Sequence, residues 1–139
     1  MGQLAMGQLA IRPSALVGVL DARVWWPLFP LLLLVVVVAL SAALVWVIRK
    51  KAPATDVVMQ SLALSAYLLT AVVAVASEGG GRVPVYVHRL PSLLTQALLI
   101  VQLVRIWRRG NARPLRVYNL VAWGAILADT GLHYLMARE

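Results

Sequence analysis

The feature that most constrains this chain is the stretch 24–48, which contains no charged residue and is followed by three consecutive basic residues. At about 1.5 Å of rise per helical residue, Trp26 and Trp46 lie about 30 Å apart, which is the thickness of a bilayer's hydrocarbon core. Tryptophan is enriched at both headgroup levels. The stretch therefore predicts a transmembrane helix over 28–48, whose Leu, Val and Ala interior offers no group for chemistry.

The composition of the chain agrees with a membrane location. Of 139 residues, 62% are hydrophobic and 13% are charged, whereas soluble domains carry about 25% charged residues. The net charge of +8 comes from short basic runs between apolar segments, which favours lipid headgroups over nucleic acid as partners. The absence of cysteine excludes disulfides, thiolate metal sites and cysteine nucleophiles.

Three later stretches have the composition of further spans. A second span is predicted over 57–77, which is uncharged, with either Thr55 or Asp56 as the cap of its helix. Three glycines end it, and the alternating valines of 82–90 predict an extended loop. The remaining spans are predicted over 91–107, where a proline suits the first turn, and over 117–137.

The predicted fold class is all-α: an integral membrane bundle of four transmembrane helices with up-down connectivity over 24–137. Residues 1–23 are predicted to form a separate N-terminal segment. Its longest apolar run is six residues, which is too short for a cleavable signal. Leu16, Val19 and Leu20 have helical spacing, so the segment is suited to a short interfacial helix on the membrane surface.

The distribution of basic residues predicts the orientation of the spans. The turns after the first and third spans hold eight of the 13 Lys and Arg residues, and the other extramembrane segments hold five. By the positive-inside rule these two turns face the cytoplasm or the mitochondrial matrix, and both termini lie on the opposite, trans side. We therefore expect a bacterial inner membrane or a mitochondrial inner membrane.

Small side chains and amides mark the faces on which the helices are expected to pack. In a bilayer, small residues let helices approach closely, and amides need partners across an interface. The predicted packing residues are Ser61, Ser65, Ala66, Thr70, Ala74, Gln96 and Gln102. The alternative is that small residues are simply common in membrane helices.

The last span carries a polar pair, Asp129 and His133, four residues apart and therefore on one helix face. A charge in the bilayer costs at least about 2.5 kcal/mol, so such a residue is a candidate functional group. Helical rise places the pair level with the loop that carries Arg82 and Arg89. We expect a structural ion pair of Asp129 with Arg82, Arg89 or His133, and proton handling is the alternative.

The turn after the third span is rich in arginine. Five arginines occur within twelve residues, namely Arg105, Arg108, Arg109, Arg113 and Arg116. Their spacing predicts a basic face at the membrane surface that is suited to an anionic lipid phosphate, such as that of cardiolipin. The alternative is that these arginines only determine topology.

No catalytic residue, metal site or cofactor is predicted, apart from a bound anionic lipid. The chain has two histidines, His88 and His133, and a haem held by both would require them to converge from a loop and a helix end, which disfavours haem. The sequence contains no nucleophile motif, phosphate-binding loop or acidic cluster.

These features favour a non-catalytic integral membrane subunit of a larger complex, such as a respiratory, ATP synthase or photosynthetic assembly. Its expected partners are membrane lipids and other integral membrane subunits. A first alternative is a small oligomeric transporter or channel that uses Asp129. A second is a membrane enzyme acting on a lipid-like substrate, with Asp129 and His133 as acid and base.

Overall fold

The computed structural model describes residues 26–78, 85–110 and 112–136. These residues form four helices, α1 (Leu28–Arg49), α2 (Ala54–Glu78), α3 (Val85–Arg109) and α4 (Arg113–Met136), and the described ranges contain no strand. The prediction of an all-α protein is confirmed for this part of the chain. The predicted interfacial helix within 1–23 lies outside the described residues.

Three of these helices are long and apolar enough to cross a membrane. Within the described residues the candidate spans are Leu28–Arg49, Ala54–Ala76 and Arg89–Arg109. They are compatible with an integral membrane protein. The fourth helix is not among them although it has 24 residues, because polar side chains such as Asn119 and Asp129 interrupt its apolar sequence.

The second helix begins earlier than predicted. It starts at Ala54, and the carbonyl of Pro53 accepts hydrogen bonds from the amides of Asp56 at 2.8 Å and Val57 at 3.4 Å. The pair Thr55–Asp56 therefore lies inside the first turn, and its predicted role as the cap was wrong. The side chain of Asp56 is directed instead to another helix.

The third helix also begins earlier, at Val85, so the predicted extended loop was wrong for residues 85–90. Pro91 lies inside the helix and not in its first turn. A helix satisfies its backbone groups internally, which lipid requires, and proline removes one such hydrogen bond. The Thr95 hydroxyl donates to the carbonyl of Pro91 at 2.8 Å. The alternating valines were therefore a misleading signal for extended chain.

The four helices pack into a bundle in which each helix lies against two neighbours. The most extensive contacts join α1 to α4 and α2 to α3, and smaller contacts join α1 to α2 and α3 to α4. The central core takes side chains from all four helices, including Leu40, Tyr67, Leu99 and Ile126. Helices α1 and α3, and likewise α2 and α4, therefore face each other diagonally across the core.

Two turns lie together at one end of the bundle, which we call the basic end and define by residues 49–56 and 105–116. After α1, the amide of Lys51 donates to the carbonyl of Ile48 at 3.1 Å, and the amide of Ala52 donates to that of Val47 at 2.9 Å. This is a Schellman turn, and Lys51 adopts a φ of 50° at the position that glycine prefers. After α3, Gly110 has a φ of 73°.

Candidate functional site

An ion cluster joins α2 to α3 at the basic end. The Asp56 side chain is only 8% exposed, and its carboxylate accepts hydrogen bonds from Arg105 at 3.3 Å and from Arg109 at 2.8 Å. The two arginines lie four residues apart on α3 and so reach the same carboxylate. A buried carboxylate is tolerated when it is paired, and the first turn of α2 adds the favourable end of a helix dipole.

A layer of buried amides lies one helical turn further into the bundle. Gln60 follows Asp56 by four residues, and its Nε2 donates to Oδ1 of Asn119 at 2.7 Å. This hydrogen bond crosses the core diagonally from α2 to α4. Gln102 is also buried, and neither of its amide atoms has a hydrogen-bond partner. Oε1 of Gln60 and Nδ2 of Asn119 are likewise unpartnered.

A shallow surface cavity of about 440 Å³, widely open to the outside, lies between the two turns of the basic end. Its lining residues are Trp46, Lys50, Ala52, Pro53, Asp56, Arg109, Ala112 and Leu115. Most of the wall is apolar, and the charged groups on it are two cations and the carboxylate of the ion cluster. The cavity thus combines an apolar wall with positive charge at the basic end of the bundle.

The Asp129–His133 pair lies at the opposite end of α4. Nδ1 of His133 is 3.6 Å from Oδ2 of Asp129 and 3.0 Å from the carbonyl oxygen of the same residue. The side chain of Asp129 is 31% exposed and that of His133 is 57% exposed, so the pair lies on the surface of the bundle. Arg89 is exposed on α3, and Arg82 lies outside the described residues. The choice between a structural pair and proton handling therefore stays a prediction.

The five arginines predicted to contact lipid have different surroundings. Arg105 and Arg109 bind Asp56, as described above. The guanidinium of Arg116 lies 5.5 Å from the centre of the Trp107 ring, a distance typical of a cation–π contact. Arg108 and Arg113 are exposed. The arginines therefore divide among an ion cluster, an aromatic contact and the open surface, and lipid contact stays a prediction.

The predicted packing residues differ in burial. Ala66 and Gln102 are buried, Ser65 is exposed, and the others are half-buried: Ser61, Thr70, Ala74 and Gln96. The hydroxyl of Thr70 donates to the carbonyl of Ala66 at 2.9 Å, within its own helix. The residues of α2 that are most deeply buried include Gln60 and Ala63, which lie beside the predicted strip.

The outer face of α4 carries a strip of small residues between larger apolar ones. Gly124, Ala128 and Gly131 are exposed along one side of the helix, and a Cβ added at either glycine would meet no atom within 4 Å. Leu120, Val121 and Leu127 are exposed next to them. The opposite side of α4 packs into the core through Ala122, Ala125 and Ile126.

No protein-family model, curated protein or solved structure matches the chain. Among the residues that the structure describes, no group of three or more His, Asp or Glu side chains could hold a metal ion.

The sequence reasoning did not identify Asp56, Asn119 and Lys50 as site residues. A signal for Asp56 was present, because up-down connectivity places the start of the second helix beside the arginine-rich end of the third. A signal for Asn119 was its position two residues inside the predicted fourth span, where an amide needs a partner. Lys50 gave no signal of its own, because its position against the cavity depends on the turn after α1.

Proposed function

We propose that this protein is a non-catalytic integral membrane subunit of a larger complex, in which all four helices cross the membrane and the outer face of α4 contacts another subunit. An energy-transducing assembly of a bacterial or mitochondrial inner membrane is the proposed setting. The observation that carries the proposal is the strip of exposed small residues Gly124, Ala128 and Gly131 on the outer face of α4.

The packing of α4 against α1 supports a fourth span. At the basic end, Leu115 packs in one cluster with Val47. At the opposite end, the ring of His133 lies 4.4 Å from that of Phe29. Since α4 lies beside α1 over nearly the whole length of the most apolar candidate span, it passes through the same thickness of membrane when α1 does.

A second helix can pack closely on this strip. Gly124, Ala128 and Gly131 recur at intervals of four and three residues, so this side of α4 has little bulk between the larger apolar residues that flank it. In a bilayer, small residues let the backbone of another helix approach closely. Association with an unlike integral membrane subunit would therefore bury the strip.

Purification in mild detergent followed by native mass spectrometry tests this proposal. We expect unlike subunits in stoichiometric amounts with the wild-type chain, and their loss with Ala128→Leu. Ala97→Leu is the matched control, because it makes the same change at an exposed position of α3. Recovery of the wild-type chain as a monomer, or equal loss with both variants, would contradict the proposal.

A small oligomeric transporter or channel is the second candidate, favoured by the proximity of Asp129 and His133 at the end of α4 opposite the basic end. If Asp129 is structural, Asp129→Asn should weaken assembly partially with little dependence on pH. If it carries protons or ions, the variant should assemble normally and lose transport in reconstituted vesicles, because an amide does not titrate. We expect the structural result.

A further inference from the structure

We infer that the cavity at the basic end binds the phosphate of an anionic phospholipid headgroup, with Lys50 and Arg109 as the phosphate ligands. This site is independent of the proposed partner, because it lies at the end of the bundle and not on the outer face of α4. The inference rests on the charge of the cavity, on the backbone that surrounds it and on its apolar wall.

The charge of the cavity favours an anion. Arg105 and Arg109 share the carboxylate of Asp56, so two cations meet one anion, and Lys50 on the cavity wall adds a third cation. The whole basic end carries eight Lys and Arg residues and a single acidic residue, which is Asp56. A phosphate bound here would meet a positive surplus that the protein itself does not neutralise.

The surrounding backbone adds to this positive potential. Pro53 and Ala112 both line the cavity, and each directly precedes a helix. The carbonyl of Ala112 accepts a hydrogen bond from the amide of Arg116 at 3.0 Å, as the first turn of α4 requires. The starts of α2 and α4 therefore both lie at the cavity, and a helix start carries a partial positive charge.

The apolar wall favours a lipid over a free phosphate as the source of the anion. Trp46 and Leu115 lie on the same cavity as Lys50 and Arg109. Inorganic phosphate would bind to the cations and leave the apolar wall exposed to water. A phospholipid places its phosphate near the cations and its glycerol and upper acyl carbons against the wall, at the headgroup depth that tryptophan prefers.

Asp56 acts in this site as a positioning residue. Its carboxylate accepts a hydrogen bond from Nη1 of Arg109 at 2.8 Å, while 47% of the arginine side chain stays exposed. A guanidinium has five donors in a rigid fork, so donors remain for a phosphate after Asp56 is bound. The ion pair thus holds Arg109 at the cavity and leaves some of its hydrogen-bond donors available.

The adjacent lysines of the turn after α1 provide a matched test. Lys50 lines the cavity and Lys51 does not, and the two carry the same charge in the same turn. The full-length protein, purified in detergent and depleted of lipid, is titrated with dioleoyl phosphatidylglycerol and separately with dioleoyl phosphatidylcholine. Bound lipid is counted by native mass spectrometry.

We expect phosphatidylglycerol to bind more tightly than phosphatidylcholine. Lys50→Gln should weaken phosphatidylglycerol binding by about fivefold, since one basic residue near a membrane surface contributes about that factor. Lys51→Gln should change it by less than about twofold. Lys50 is exposed, so its variant should keep the wild-type helix content and unfolding temperature.

Two results would overturn the inference. Equal weakening by Lys50→Gln and Lys51→Gln would mean that diffuse charge, and not the cavity, holds the lipid. Inorganic phosphate that binds to the lipid-depleted protein and displaces phosphatidylglycerol at millimolar concentration would identify a site for a soluble anion. Retention of the lipid in the presence of that phosphate is the expected result.

Discussion

The buried amides Gln60 and Gln102 have the same side chain and opposite hydrogen-bonding situations. Gln60 donates to Asn119, whereas both amide atoms of Gln102 lack a partner. Gln60→Leu should therefore lower the free energy of unfolding by about 1–3 kcal/mol, because it leaves the buried Oδ1 of Asn119 without its donor.

Gln102→Leu should be neutral or stabilising, because it removes two unpartnered polar atoms from the core at similar volume. The measurement for both variants is the unfolding free energy in detergent micelles. If Gln102→Leu were as destabilising as Gln60→Leu, Gln102 would have a partner in the folded protein, and the description of the amide layer would be wrong.

Lys51 holds a backbone conformation that is unfavourable for its side chain. Its φ of 50° belongs to the left-handed region, which costs a non-glycine residue about 1–2 kcal/mol. Lys51→Gly should raise the unfolding free energy by up to about 1 kcal/mol, after the extra entropy of glycine in the unfolded chain is subtracted. Thermal unfolding measures this change.

Gly110 supplies the control of opposite sign. It has a φ of 73°, and a Cβ added there would meet no atom within 4 Å. Gly110→Ala should therefore lower the melting temperature through backbone conformation alone. If Lys51→Gly and Gly110→Ala moved stability in the same direction, the turn geometry described here would be incorrect.

At the level of helices, the contact of α2 with α3 depends on the ion cluster. Asp56 and Arg109 should show a coupling free energy of about 1–2 kcal/mol in a double-mutant cycle, a value reduced because Arg109 is 47% exposed. The variants Asp56→Asn and Arg109→Gln, alone and combined, give the cycle. Arg108, the preceding residue on α3, should show almost no coupling to Asp56 and serves as the control.

The centres of the helices could be predicted from the sequence, and their ends could not. The predicted span 28–48 agrees with α1, because an uncharged stretch of that length has few other structures available in lipid. The start of α3 at Val85 was missed, because alternating valines and a proline are local signals for extended chain. The helix that begins at Val85 extends four residues beyond the candidate span Arg89–Arg109, where composition alone gives no helix signal.

The sequence predicted which basic residues lie at the candidate site, but it did not predict which side chains they contact. Arginine spacing gave a basic face on the third helix, but the binding of Arg105 and Arg109 to Asp56 depends on which helices are neighbours. The Gln60–Asn119 hydrogen bond joins residues 59 positions apart across the bundle diagonal. Such pairings follow from the packing of four helices, which hydrophobic periodicity alone does not specify.

At the level of the whole molecule, the charge of the basic end predicts the orientation of the protein in the membrane. A single cysteine at Lys51 should react with a membrane-impermeant reagent from the cytoplasmic or matrix side, and one at Gly80 from the trans side. The chain contains no native cysteine to interfere. Labelling of both positions from the same side would contradict the proposed crossing of α2, and the reverse pattern would contradict the orientation.

The central claim is that the outer face of α4 lies against an unlike subunit. The most direct test places a photoreactive amino acid at Ala128 in native membranes, with Ala97 of α3 as the control position. We predict one discrete crosslinked product that contains an unlike integral membrane protein from Ala128, and only lipid adducts from Ala97. Lipid adducts alone, or crosslinks only to a second copy of this chain, from Ala128 would contradict the claim.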